Sequence, residues 1–192
     1  MGGSVKRSAA VLTGKFIVLA PICMVVWLLV LPVYAHILAY AGGSIFRYGY
    51  GLNVMAIRVD AGGFLNTDTS ITYTIMTTEK TLPQLGKLVG NVAPFVALVL
   101  ATPRLKLRRR LRIIGIGTLL IFISHLATVV IRLIGRGPVM GQTPLTTTIG
   151  FVSITLPFLL WIVLAYWGQL MALLGEEPAA APAGEQRDKP ST

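Results

Sequence analysis

The stretch 103–112, PRLKLRRRLR, constrains this chain more than any other, because Arg104, Lys106, Arg108, Arg109, Arg110 and Arg112 stand between two apolar runs. Short loops rich in lysine and arginine stay on the cytoplasmic side of a membrane, where anionic lipid attracts them and translocation of positive charge is costly. The run is therefore expected to be a cytoplasmic turn between two spanning helices. Composition agrees with a bilayer setting. The chain is 54% hydrophobic and 12% charged, with a mean hydropathy of +0.74, whereas soluble domains carry about 25% charged residues. The net charge of +10 does not point to nucleic acid, since no aromatic residue interleaves the basic run as a base-stacking platform requires.

Four spans follow, at about 16–42, 85–102, 113–134 and 149–174. The first exceeds the roughly 20 apolar residues needed to cross a hydrocarbon core and is too long for the apolar segment of a cleaved signal. Pro21 and Pro32 each remove a backbone hydrogen bond within it and favour a bend. Tyr34 and Tyr40 suit its outer interface. The second span is interrupted by Lys87, Gly90, Asn91 and Pro94. The third holds Ser124, His125 and Arg132, and the fourth carries Trp161, Tyr166 and Trp167 with Pro157 inside. Gly115, Gly117, Ala127 and Gly150 are small enough to let helices approach closely.

Between the first two spans, 43–84 turns polar and loses helical periodicity. Segments 54–59 and 70–77 are rich in β-formers, and the second alternates Ile71, Tyr73 and Ile75 against Thr72, Thr74 and Met76. With turn material at 61–63 and 66–68 between them, they predict a small external β-hairpin. The fold class expected is thus an all-α membrane protein with four transmembrane helices and one external hairpin. The segment 1–15 is expected in the cytoplasm, and 175–192, rich in Pro, Ala, Gly and charge, is expected to be a disordered cytoplasmic tail. On this map nine basic residues near the membrane lie inside, counting Lys6, Arg7, Lys15 and the six of the basic run. Six lie outside: Arg47, Arg58, Lys80, Lys87, Arg132 and Arg136.

Chemistry-bearing residues are few. Cys23, the single cysteine, lies in the first span and reads as a small hydrophobe. His36 and His125 invite a haem or metal reading. However, His36 lies 21 residues past Lys15 and His125 lies 13 past Arg112, which separates them in height by about 12 Å, too far for one metal. His125 is expected instead to hydrogen-bond between helices, with Ser124 or Asn91 as partner. No cofactor or metal site is expected. No Asp or Glu falls inside a span, where a proton-coupled transporter places one. Asn91, Ser124, His125 and Thr128 would be the polar path of an alternative reading, a small transporter or channel-like subunit. Arg132, at the outer end of the third span, has the chemistry to hold a carboxylate or phosphate bidentately. Arg47, Arg58, Lys80, Lys87 and Arg136 would join it in a cationic external groove beneath the hairpin, with Arg58, Lys80 and Arg136 the further candidates for binding an anion or a partner.

The run 77–135, TTEKTLPQLGKLVGNVAPFVALVLATPRLKLRRRLRIIGIGTLLIFISHLATVVIRLIG, resembles the central part of the exosortase/archaeosortase membrane proteins. That family has an external segment, a helix, an arginine-rich cytoplasmic turn and a helix ending outward in an arginine, a position Arg132 matches. The family's cysteine nucleophile has no counterpart, since Glu79, Lys80 and Thr81 occupy its place; nor is its asparagine reproduced before Arg132. The resemblance therefore implies the non-catalytic, exosortase-associated type: a bacterial plasma-membrane accessory protein, not an enzyme. It would meet lipids and another membrane protein in envelope-protein sorting or export.

Overall fold

The computed structural model describes residues 2–61, 68–82, 85–103, 105–134, 152 and 155–167, with side chains from residue 10 onward other than 87 and 88. It is mainly helical with one small antiparallel sheet. Helix α1, Gly2–Ser44, runs through both prolines, and at 1.5 Å per residue it is about 65 Å long. Local bonds support it past Pro32: the ring of His36 donates from Nδ1 to the Pro32 carbonyl at 2.8 Å. A widened π-helical turn, Ile45–Gly49, ends it. There Tyr50 N donates to Ile45 O at 3.2 Å and Leu52 N to Phe46 O at 2.9 Å, and Gly51, at φ 65°, supplies the left-handed residue that turns the chain into the sheet.

The sheet has three strands, not the two of a hairpin. β1, Val54–Asp60, pairs with β2, Ser70–Ile75, which pairs in turn with β3, Thr78–Leu82. The alternation in β2 is realised: Ile71, Tyr73 and Ile75 are buried. β3 escapes a reading for strands because Glu79 and Lys80 interrupt its β-formers. The two-residue turn before it, Met76 and Thr77, also lacks the Asn or Gly that ordinarily marks such turns, and Met76 takes the positive φ of 55° itself.

After the sheet come a single turn α2, Leu85–Val89, and α3, Val92–Ala101. The expected span 85–102 is thus broken at Gly90 and Asn91, and α3 alone covers about 15 Å. Helix α4, Leu107–Ile134, begins inside the basic run, so Arg108, Arg109, Arg110 and Arg112 belong to its first turns and not to a loop. Helix α5, Thr155–Trp167, packs on the others through Leu160, Trp161 and Leu164. The segments 135–151 and 168–192, with Gly150, Arg136 and the expected tail, lie outside the described residues, as does Arg104.

α3 is the middle of the helical layer. Val92, Ala93, Phe95, Ala97, Leu98, Val99 and Ala101 are all buried, most extensively against the α1 face formed by Trp27, Leu31, Tyr34, Ala35, Leu38 and Ala39. The 4-3-1-3-1 spacing of that face is the helical repeat of one apolar stripe. On α4, Ile113, Gly117, Ile121, His125, Thr128 and Leu133 face inward. A side-chain carbon at Gly117 would lie within 2.5 Å of two Phe95 ring atoms, so only glycine lets the ring of α3 seat on α4. At Gly115 the same addition meets nothing within 4 Å.

Two helical stretches, Ala10–Gly49 and Leu107–Ile134, are long and apolar enough to cross a membrane. Their remaining faces are exposed and apolar, with Ile17, Val18, Ile22 and Val26 on α1 and Ile116, Leu119 and Ile123 on α4. Uncovered apolar surface of this extent suits hydrocarbon better than water.

Candidate functional site

The sheet closes over the ends of α1 and α4. Tyr73, in the middle of β2, donates from its hydroxyl to the Ala39 carbonyl at 3.0 Å and stands edge to face with Phe46 at 5.3 Å between ring centroids. The approach depends on Gly42 and Gly43, where a side-chain carbon would lie 2.7 Å from the Tyr73 oxygen and 2.5 Å from Ile57 Cδ1. Burial pushes the Tyr73 phenol above its ordinary pKa. Arg47 donates from Nη2 to the Val54 carbonyl at 2.9 Å, tying the end of α1 to the start of β1.

Lys80 makes the second attachment. Its ammonium donates to the Leu133 carbonyl at 2.9 Å, at the C-terminal end of α4, where exposed carbonyls and the helix dipole favour a cation. Next to this bond lies a cavity of about 240 Å³, lined by Phe46, Tyr50, Leu52, Ile75, Lys80, Leu133 and Ile134. One cation in an otherwise apolar recess is the pattern of a site for an amphipathic anion.

Of the cations expected to share a groove, Arg58 lies apart from Lys80. Strand register puts Lys80 opposite Tyr73 and Arg58 opposite Thr72, and successive residues point to opposite faces. Lys80 thus shares the buried face of Tyr73. Arg58 lies on the other face, exposed, paired with Asp60 at 3.0 Å, near the cross-strand contact of Thr72 and Thr81 at 3.0 Å. Arg132 is in the last turn of α4, with its Nε buried and without a hydrogen-bond partner. Arg136 lies outside the described residues.

At mid-depth His125 is fully buried, and its Nδ1 shares a hydrogen bond of 2.7 Å with the Tyr34 hydroxyl on α1. The bond joins two helices as expected, but the partner is Tyr34 and neither Ser124 nor Asn91. The Tyr34 ring stands edge to face with Trp27, Phe122 and His125. The missed signal is the spacing Trp27, Leu31, Tyr34, Leu38, which puts Tyr34 on the stripe that faces the core, not at the interface. His36 is exposed, so the two histidines do not meet. Thr128 bonds back to the Ser124 carbonyl at 2.9 Å, and none of Asn91, Ser124, His125 and Thr128 lines the cavity at the sheet. Among the described residues no three of His, Cys, Asp and Glu cluster as metal ligands would.

At the other end of the helices, Arg110 donates to the Thr102 carbonyl at 2.8 Å, covering the C-terminus of α3. Trp161 Nε1 donates to Thr102 Oγ1 at 2.9 Å, and Arg109 reaches the Ala165 carbonyl at 3.4 Å. Lys106, Arg108, Arg109 and Arg112 are otherwise exposed. Fold and site together define a mainly helical chain, with two helices long and apolar enough to cross a membrane, that carries a small sheet fastened to two helix ends. Set against protein-family models, curated proteins and solved structures, the chain matches none of them.

Proposed function

We propose that this is a four-span plasma-membrane protein whose outer sheet is a docking platform, making it a non-enzymatic accessory or scaffold for another membrane protein. The observation that carries the reading is the double fastening of the sheet, by Tyr73 to α1 and by Lys80 to α4. A small sheet gains stability by packing a hydrophobic face on a helix, and here two bonds tie its buried face to α1 and α4. Its outer face displays Met55, Arg58 and Asp60 exposed and Thr72 part-exposed.

Orientation follows from the arginines. Arg108, Arg109, Arg110 and Arg112 occupy the N-terminal turns of α4, where the helix dipole disfavours positive charge. Anionic lipid headgroups would compensate them there, which supports an orientation with that end in the cytoplasm and the sheet outside. The contact of Arg109 with Ala165 brings the C-terminal end of α5 to the arginine end of α4, which supports a fourth span returning inward. Envelope-protein sorting or export is the process that the resemblance of 77–135 implies. The burial of His125 among Tyr34 and Phe122 rings counts against a polar path for transport.

The test is crosslinking from the sheet, at Met55 or Thr72, followed by co-purification from native membranes. One defined membrane partner, lost when Tyr73→Ala unfastens the sheet, is the expected result. Recovery of a lone monomer from either position would end the scaffold reading.

A further inference from the structure

Beyond a docking role for the outer face of the sheet, its inner face encloses the 240 Å³ cavity. We propose that this cavity binds one anionic phospholipid of the outer leaflet, with part of an acyl chain among Phe46, Leu52, Ile75 and Leu133 and the phosphate on Lys80. The inference rests on the membrane orientation proposed above.

Three observations select this occupant. The first is charge. Lys80 spends one of its three N–H donors on the Leu133 carbonyl, which leaves two for an anion. Among the described residues the ion pair is Arg58 with Asp60, and no carboxylate lies within 4 Å of the Lys80 ammonium. Arg132 adds a second positive charge in the same turn of α4 that supplies Leu133.

The second is height. Tyr40, Tyr48 and Tyr50 are exposed around the end of α1 that the sheet covers, and exposed tyrosines of this kind mark the level of lipid headgroups. Tyr50 itself lines the cavity, which sets the cavity at the end of α1 that these tyrosines surround. The third is size. At about 30 Å³ per water the cavity matches roughly eight waters. It lies below the range of about 300–1,000 Å³ typical of sites that enclose a whole small molecule, but it admits several methylenes of one chain whose remainder continues into the bilayer.

The test uses the full chain in nanodiscs made of equal parts phosphatidylglycerol and phosphatidylcholine, transferred to mild detergent, with retained lipids counted by native mass spectrometry. Retention of phosphatidylglycerol over phosphatidylcholine by about fivefold is expected, the factor one well-placed lysine contributes near an anionic lipid. Lys80→Gln should abolish that preference and Lys80→Arg should keep it. Leu52→Trp, which fills the cavity without changing charge, should lower retention of phosphatidylglycerol, so the proposal does not depend on one variant. Equal retention of the two lipids, or a preference that survives in both Lys80→Gln and Leu52→Trp, overturns it and leaves the cavity to an apolar side chain of a partner or of a second copy. A chain that does not enter nanodiscs overturns the membrane setting on which the orientation rests, an outcome distinct from loss of lipid preference.

Discussion

Glycine 117 shows how narrowly one position can set the distance between two helices. Phe95 lies directly over its backbone, and an added carbon would overlap the ring. Gly117→Ala therefore forces α3 and α4 apart and is expected to cost about 1–3 kcal/mol, the usual penalty of overpacking a core. Gly115→Ala, two positions away and facing open space, should lose nothing and gain up to about 1 kcal/mol in helix propensity. Thermal unfolding of the two variants in one detergent checks this, and equal melting temperatures would contradict the packing described. Both glycines are small residues in a span, so the sequence marks them alike; only the position of Phe95 tells them apart. Tyr34 is a similar case, since a tyrosine near the end of a span reads equally well as an interface residue or as the buried partner of His125.

At the scale of elements, the sheet depends on β2, and β2 depends on Tyr73. The phenol is buried and held above the ordinary pKa of 10.0, so it is neutral in the folded and unfolded chain alike below that pH. As the pH rises past 10.0 the unfolded chain releases the proton while the folded sheet keeps it, which favours unfolding progressively. Tyr73→Phe should cost about 1 kcal/mol at neutral pH through loss of the bond to Ala39, yet should remove this residue's share of the alkaline sensitivity. Proteolysis of the sheet followed from pH 8 to pH 11 reads both effects, and parallel pH curves for the two proteins would refute the assignment. β1 and β2 were legible because hydrophobic alternation and β-branched residues mark half-buried strands. β3 is not, because Glu79 and Lys80 interrupt its β-formers and its turn lacks Asn or Gly, while the bond of Lys80 to Leu133, 53 residues away, is encoded by no local pattern. The start of α4 was misplaced for a related reason: a dense arginine run reads as a loop, although arginine is a good helix former.

For the whole molecule, the orientation can be read chemically, because Cys23 is the single cysteine. In a Cys23→Ser background, Glu79→Cys at the sheet should react with a membrane-impermeant maleimide in intact cells. Lys106→Cys at the arginine end should react only after the membrane is opened, and the reverse pattern would invert the molecule. Hydropathy sufficed to read the two long apolar helices, while the broken helix at Gly90 and Asn91 and the cavity under β3 arise from contacts between distant segments. The bond from Lys80 to Leu133 also has a consequence for biogenesis. The lysine leaves the ribosome 53 residues before the carbonyl it must find, so translation and insertion of α4 have to finish before the third strand can lock. A nascent chain halted in the arginine run would show a loose, protease-sensitive sheet segment, and the tightening of that segment would report that α4 has reached its place.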